Sequence, residues 1–339
     1  MKRAICVILS LCMMLGMLAG CGSNETAANE PAAQTAEAAP QTPAEPETPA
    51  EPETPEEPAG PTLEDYIAKV FAEPAEQTIE ACWDDFSGQE GDPIKPEPGD
   101  TKATWDLSIA DLFPADADCT DEEFFAKWLA VEGLTTADLD ARGCKQLCIS
   151  ALKPDSECMT TFACYEKQDD GSWVTVEKLN KIKGSCGKNG INHDRVQGDE
   201  TSPAGLYQIG TAFGNEDMPE GVKMPWRDVT ENSEWIGTNR SKYYNTWQEL
   251  DDPNVAGENF DTDDGEHLCE YISAYALACV VRFNMPPYAV KNRGAAIFFH
   301  VSRGATAGCI GLTYDNFKNC LLWLDPEMNP YILITGYEK

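Results

Sequence analysis

The run Gln146-Leu147-Cys148-Ile149-Ser150-Ala151-Leu152 decides the fold class. It is short and β-prone, and a second such run at 159–166 follows after a proline-containing break. Lys167-Gln168-Asp169-Asp170-Gly171 has the composition of a hairpin turn and leads into a third run, 173–176. Further along, 274–283 and 295–301 are strand-like, and only 316–323 is persuasively helical. Residues 141–339 therefore read as a mainly β domain, a sandwich or barrel with a late helix.

Upstream of this domain, residues 62–140 read as a small, mostly helical module. Leu63, Tyr66, Ile67, Val70 and Phe71 recur at helical spacing, and Thr120 with Glu123 three residues on is a helix-start pattern. Phe124, Phe125, Trp128 and Leu129 supply the apolar face of that second helix. A loop rich in Pro, Gly and Asp at 88–100 separates the two helices, and the module carries no visible chemistry.

Further upstream, residues 21–61 are an Ala, Pro, Glu and Thr linker containing the near-repeat Ala44-Glu45-Pro46-Glu47-Thr48-Pro49 and Ala50-Glu51-Pro52-Glu53-Thr54-Pro55. With almost nothing apolar to bury, such a segment does not offset its ordering entropy. At roughly 3 Å per residue it would reach on the order of 100 Å. Lys2 and Arg3 precede an apolar stretch in residues 1–20, the pattern of a secretory signal peptide. Leu18-Ala19-Gly20-Cys21 resembles a bacterial lipobox. That resemblance implies lipidation of Cys21 and an extracytoplasmic protein tethered to the membrane and reaching into the cell wall. The chain has 25 basic against 58 acidic residues, a net charge of −33, which excludes nucleic acid as a natural partner.

Three histidines occur, His193, His267 and His300. His300 precedes Cys309 through Val301-Ser302-Arg303-Gly304-Ala305-Thr306-Ala307-Gly308. A strand histidine, a glycine-containing turn and a cysteine make a plausible acyl-transfer pair, because an adjacent imidazole lowers the thiol pKa. Small residues before the nucleophile let the backbone N–H groups of Gly308 and Cys309 approach an oxyanion. Spacing alone fits equally a core cysteine beside a surface histidine. His193 lies in a polar loop and has no assigned role, and the acids show no carboxylate pair of the glycosidase kind.

Thr306-Ala307-Gly308-Cys309 after a strand histidine resembles the active-site motif of the L,D-transpeptidases of the YkuD type, short-loop branch. The similarity runs over about residues 142–336. It includes Gly187-Lys188-Asn189-Gly190, Gly198-Asp199-Glu200-Thr201-Ser202-Pro203-Ala204-Gly205-Leu206-Tyr207, Tyr243-Tyr244-Asn245, Glu266-His267-Leu268, Gly294-Ala295-Ala296-Ile297-Phe298 and Leu324-Asp325-Pro326. The resemblance implies a β-sandwich catalytic domain that uses no metal or cofactor. Cys309 would be the nucleophile and His300 its base, with a backbone carbonyl near Val301 or Ser302 orienting the imidazole. Substrates would be peptidoglycan stem peptides, joined in 3→3 cross-links with release of D-Ala. Ser302, Thr306 and His267 would line the groove.

The chain departs from the family pattern where Ala307 and Ile310-Gly311 replace a second histidine and an Arg or Asn. Arg303 is the expected substitute for gripping a substrate carboxylate. Two alternatives share these residues: an L,D-carboxypeptidase with water as acceptor, and an inactive wall-binding lipoprotein.

Of 14 cysteines, Cys6 and Cys12 lie in the signal and Cys21 at the lipobox. The remaining odd count leaves Cys309 unpaired if the other ten form disulfides. A zinc site from Cys144, Cys148, Cys158 and Cys164 is the rival reading, weakened by the absence of any Cys-x-x-Cys pair.

Overall fold

The computed structural model describes residues 60–72, 106–255, 265–286 and 289–337. The signal segment, Cys21, the linker up to residue 59, Cys82 and the loop 88–100 lie outside these residues. All described residues belong to one compact unit, Pro58–Lys339.

Helices α1 (Leu63–Phe71), α2 (Leu107–Ala110), α3 (Asp121–Val131) and α4 (Thr136–Ala141) come first. The expected start of α3 is a reciprocal cap: Glu123 N–H donates to Thr120 Oγ1 at 3.1 Å and Thr120 N–H to Glu123 Oε2 at 2.7 Å. Among the described residues fifteen strands follow, with α5 (Tyr314–Trp323) before the last. They are β1 (Gln146–Leu152), β2 (Met159–Lys167), β3 (Trp173–Thr175), β4 (Ile182–Ser185), β5 (Ile191–Asn192), β6 (Ser202–Pro203), β7 (Gly205–Gly214) and β8 (Trp226–Asp228). After these come β9 (Ser233–Ile236), β10 (Thr246–Glu249), β11 (Glu266–His267), β12 (Ala278–Val281), β13 (Phe298–Val301), β14 (Ile310–Leu312) and β15 (Pro330–Gly336). The protein is mainly β.

The main sheet runs β1-β15-β7-β12-β13-β14-β4-β2, and β2 pairs back onto β1. This closes a barrel-like sheet, one of the two arrangements that the strand runs allow. Closure rests on β1, which takes β15 in parallel on one edge and β2 antiparallel on the other. Every residue of β1 and β15 is buried, which explains why β1 reads as a continuous run without alternation. Its two polar members are satisfied: Ser150 bonds Thr160 at 3.1 Å, and the Gln146 amide accepts from Asp325 N–H and donates to Trp323 O at the end of α5.

The N-terminal helices share the hydrophobic core of the barrel. Phe125 of α3 meets Tyr165 and Trp173 at centroid distances of 5.0 and 5.4 Å. Asp121 at the start of α3 accepts from Thr175 and Asn180, and the buried pair Glu132–His193 joins the end of α3 to the loop after β5 at 3.1 Å. His193 therefore has a structural place. Each large side chain buried here contributes about 2 kcal/mol, so the helices are held to the barrel by packing. A second, smaller cluster made of Phe213, Trp235, Leu268, Tyr275, Ala278, Val280, Phe298 and Cys309 occupies the opposite face of β13.

Candidate active site

Strands β13 and β14 are parallel neighbours, with Phe299 beside Ile310 and His300 beside Gly311. The chain from Ser302 to Cys309 must therefore run back past β13 before β14 begins. By alternation, Phe298, His300 and Cys309 share one face of the sheet, with Phe299 and Ile310 on the other. The register brings Cys309 level with Phe298, one pleat away from His300.

Ser202 and Thr306 fix this return. Ser202 Oγ donates to Gly308 O at 2.6 Å and accepts from Gly187 N–H at 2.9 Å. Thr306 Oγ1 donates to Cys309 O at 2.6 Å and accepts from Gly308 N–H at 3.2 Å, so the Gly308 amide expected for an oxyanion is engaged by Thr306. Gly308 has φ +150°, and a Cβ there would sit 2.9 Å from Thr201 O, so only glycine fits. Ser202→Ala removes two buried hydrogen bonds. It should destabilise the protein by about 1–2 kcal/mol in a urea titration. An unchanged midpoint would remove Ser202 from this role.

The Cys309 thiol is buried. It donates to Ala296 O at 3.3 Å and accepts from Phe298 N–H at 3.3 Å. Ala296 is held at φ +55°, a costly conformation for alanine, and its N–H donates to Asn245 Oδ1 at 3.0 Å. Asn245 is buried and itself bonded to Trp235, Phe283 and Asn284, which accounts for the persistence of the strain. Burial and the nearby Glu266 carboxylate push the Cys309 thiol pKa up, against smaller lowering effects from Phe298 N–H and Arg195. The expected activation by an adjacent imidazole is thus reversed in this resting site.

His300 Nδ1 bonds Val301 O at 2.9 Å, one of the two carbonyls that the resemblance named. Burial pulls its pKa down to about 4, opposed by the backbone of Val301 and Ala274, so the ring is neutral at ordinary pH. The ring of Tyr275 meets His300 edge-on at 5.3 Å, and Tyr275 OH donates to Glu266. Among the hydrogen bonds of the described residues none joins His300 to Cys309.

Glu266 is half-exposed as a residue, but its carboxyl is turned inward, and burial raises its pKa to about 7. The fold therefore favours the protonated acid. The associated stability is fully present below pH 4.5 and is lost as pH rises through 7. Glu266→Gln should raise stability at pH 8 by about 2 kcal/mol, allowing for partial exposure, with no gain at pH 4. Chemical denaturation at both pH values tests this, and a pH-independent difference would refute the buried titration.

Arg195 is the cation of the site, and sequence reasoning passed over it. Its side chain is 4% exposed, and its nearest carboxylate, Asp199, lies at 3.6 Å. Nε and Nη1 are buried without a hydrogen-bond partner. The guanidinium packs against Gly294, where any Cβ would collide with it, and lies close to Gly308. Nothing in local spacing links Arg195 to Cys309, so only the folded chain could reveal it.

No protein-family model, curated protein or solved structure matches the chain.

The other expected site residues are placed as follows. Arg303 is exposed on the loop, whereas the cation acting on the Cys309 thiol is Arg195. Ser302 Oγ donates to Gly304 O at 2.9 Å and shapes the loop. His267 is half-buried and pairs with Glu234 at 3.0 Å. Every cysteine among the described residues is a free thiol, so none of the disulfides expected among them is formed. The proposed zinc quartet is divided as well: Cys148 and Cys164 approach Cys320, whereas the Cys144 thiol turns to Gln146 O at 3.4 Å. Cys158 is outside this cluster.

Proposed function

We propose that the protein is a cysteine acyltransferase of the cell wall, an L,D-transpeptidase acting on peptidoglycan stem peptides from a lipid anchor at Cys21. The observation that carries the reading is convergence on one thiol. Segments spread over a hundred residues of sequence meet at Cys309: Ser202 on Gly308 O, Asn245 on Ala296, Glu266 and Arg195 acting on the thiol, and His300 on the same sheet face. A buried cysteine with only a packing role needs none of these.

In the proposed reaction the thiol leaves Ala296 O and gives its proton to neutral His300. Sγ then attacks the carbonyl of the amide that follows diaminopimelate. The C–N bond breaks, D-Ala departs with a proton from His300, and a thioester remains. The acceptor amine of a second stem loses its proton to His300 and displaces Cys309. Arg195, with its unpartnered N–H groups, stabilises the negative charge that develops beside Gly308. A tetrapeptide-stem substrate incubated with the protein and read by mass spectrometry tests this. Cross-linked dimers support transpeptidation, trimmed tripeptides indicate the carboxypeptidase, and unchanged stems refute both.

One observation favours a second reading, an inactive wall-binding lipoprotein: the thiol is engaged by Ala296 and Phe298, and not by His300. Unchanged stems together with retention on isolated cell walls would support it.

A further inference from the structure

Three cysteines from distant parts of the chain meet inside the main core. Cys148 lies on β1, Cys164 opposite it on β2, and Cys320 on α5. All three are fully buried. Their sulfurs form a nearly equilateral triangle, 3.5 Å between Cys148 and Cys164, 3.9 Å between Cys164 and Cys320, and 4.0 Å between Cys148 and Cys320. A tetrahedral ion with metal–sulfur bonds of about 2.3 Å requires sulfurs about 3.8 Å apart, which matches each edge to within a few tenths of an ångström. A disulfide would join two of the sulfurs and leave the third unused; one ion engages all three equally.

We propose that Cys148, Cys164 and Cys320 form a structural site for one thiophilic d10 cation, zinc(II), that clamps α5 to the β1–β2 pair. Cys279 of β12 is also fully buried in the same core and interacts electrostatically with Cys148 and Cys320, and it is the candidate fourth ligand. Each ligating thiol releases its proton to solvent and donates a sulfur lone pair, so no oxidant or reductant is involved. Affinity therefore rises with pH. The sulfur set, without any nitrogen or oxygen ligand, selects a soft ion over magnesium or calcium. Cys309 belongs to the other core cluster, so this site is separate from the proposed nucleophile and does not depend on the acyltransferase reading.

The test uses the full chain, purified under anaerobic conditions without chelator. Elemental analysis should give one zinc per chain, unchanged in the Cys309→Ala variant. X-ray absorption at the zinc edge should show a shell of three or four sulfurs at about 2.3 Å. Cadmium(II) added to metal-free protein should produce a thiolate charge-transfer band that saturates at one equivalent. Cys320→Ser should weaken cadmium binding at least tenfold, and Cys158→Ser should leave it unchanged. If Cys320→Ser fails to fold, the absorption spectrum of the wild-type protein decides alone. Three results overturn the proposal: no retained zinc and no cadmium saturation, a Cys148–Cys164 disulfide in non-reducing peptide maps, or a ligand shell dominated by nitrogen or oxygen.

Discussion

Replacing Cys309 by alanine is expected to abolish covalent capture of a carbapenem-type β-lactam, leaving a protein whose mass does not change on incubation. In the proposed mechanism Sγ of the wild type attacks the strained carbonyl, the ring C–N bond opens, and the entire drug mass stays on one cysteine. Among the described cysteines only Cys309 sits between a glycine turn held by Ser202 and Thr306 and a strand carrying a histidine. Other thiols in the core lack that setting, so the loss should be complete, not partial. Intact-protein mass spectrometry reads the result, and circular dichroism shows that the variant is folded. An adduct forming on Cys309→Ala at the wild-type rate sinks the mechanism. A folded wild type that forms none shifts the balance to the wall-binding reading.

Arg195→Gln should slow the same acylation by about a hundredfold, the usual cost of removing one preorganised charge-stabilising group. The mechanism is electrostatic. Arg195 lowers the Cys309 thiol pKa, while burial and Glu266 raise it. Loss of the guanidinium should therefore also move the pH dependence of Cys309 alkylation by a small reagent toward higher pH. That second readout separates a charge effect from a packing effect, since glutamine fills part of the same space. Arg195→Lys should recover part of the rate, because a point charge remains but the planar fork does not. An unchanged rate together with an unchanged alkylation profile would show that the buried guanidinium serves packing alone, through Phe283 and Gly294.

Several of the strands and helices were legible from short-range chemistry, whereas long partners of the sheet such as β7 and β15 were not. β1 falls on the run 146–152, whose apolar Leu147, Cys148, Ile149, Ala151 and Leu152 suit a strand buried on both faces. α3 begins where Thr120 and Glu123 satisfy each other's backbone, an interaction confined to four residues. α5 starts two residues earlier than the run 316–323 suggested, with Thr313 in the N-cap position. The glycine turn before Cys309 was legible too, whereas the approach of Thr201 O that admits only glycine at Gly308 was not.

What the sequence by itself determined is therefore local: a mainly β chain, a glycine turn before Cys309, and a histidine on the preceding strand. Tertiary structure decided everything that depends on non-local register. The return of the chain from Ser302 to Cys309 along β13 sets Cys309 beside Phe298 and not His300, a displacement that a count of intervening residues does not contain. Arg195 reaches Gly308 only because Gly294 leaves room for its guanidinium, and the two lie about a hundred residues apart in the chain. The grouping of the cysteines is non-local for the same reason. Cys148 and Cys164 face each other through strand pairing, but their third partner, Cys320, comes from a helix at the far end of the chain. Barrel closure alone brings that helix to them, and closure is a property of pairings between strands rather than of any one strand.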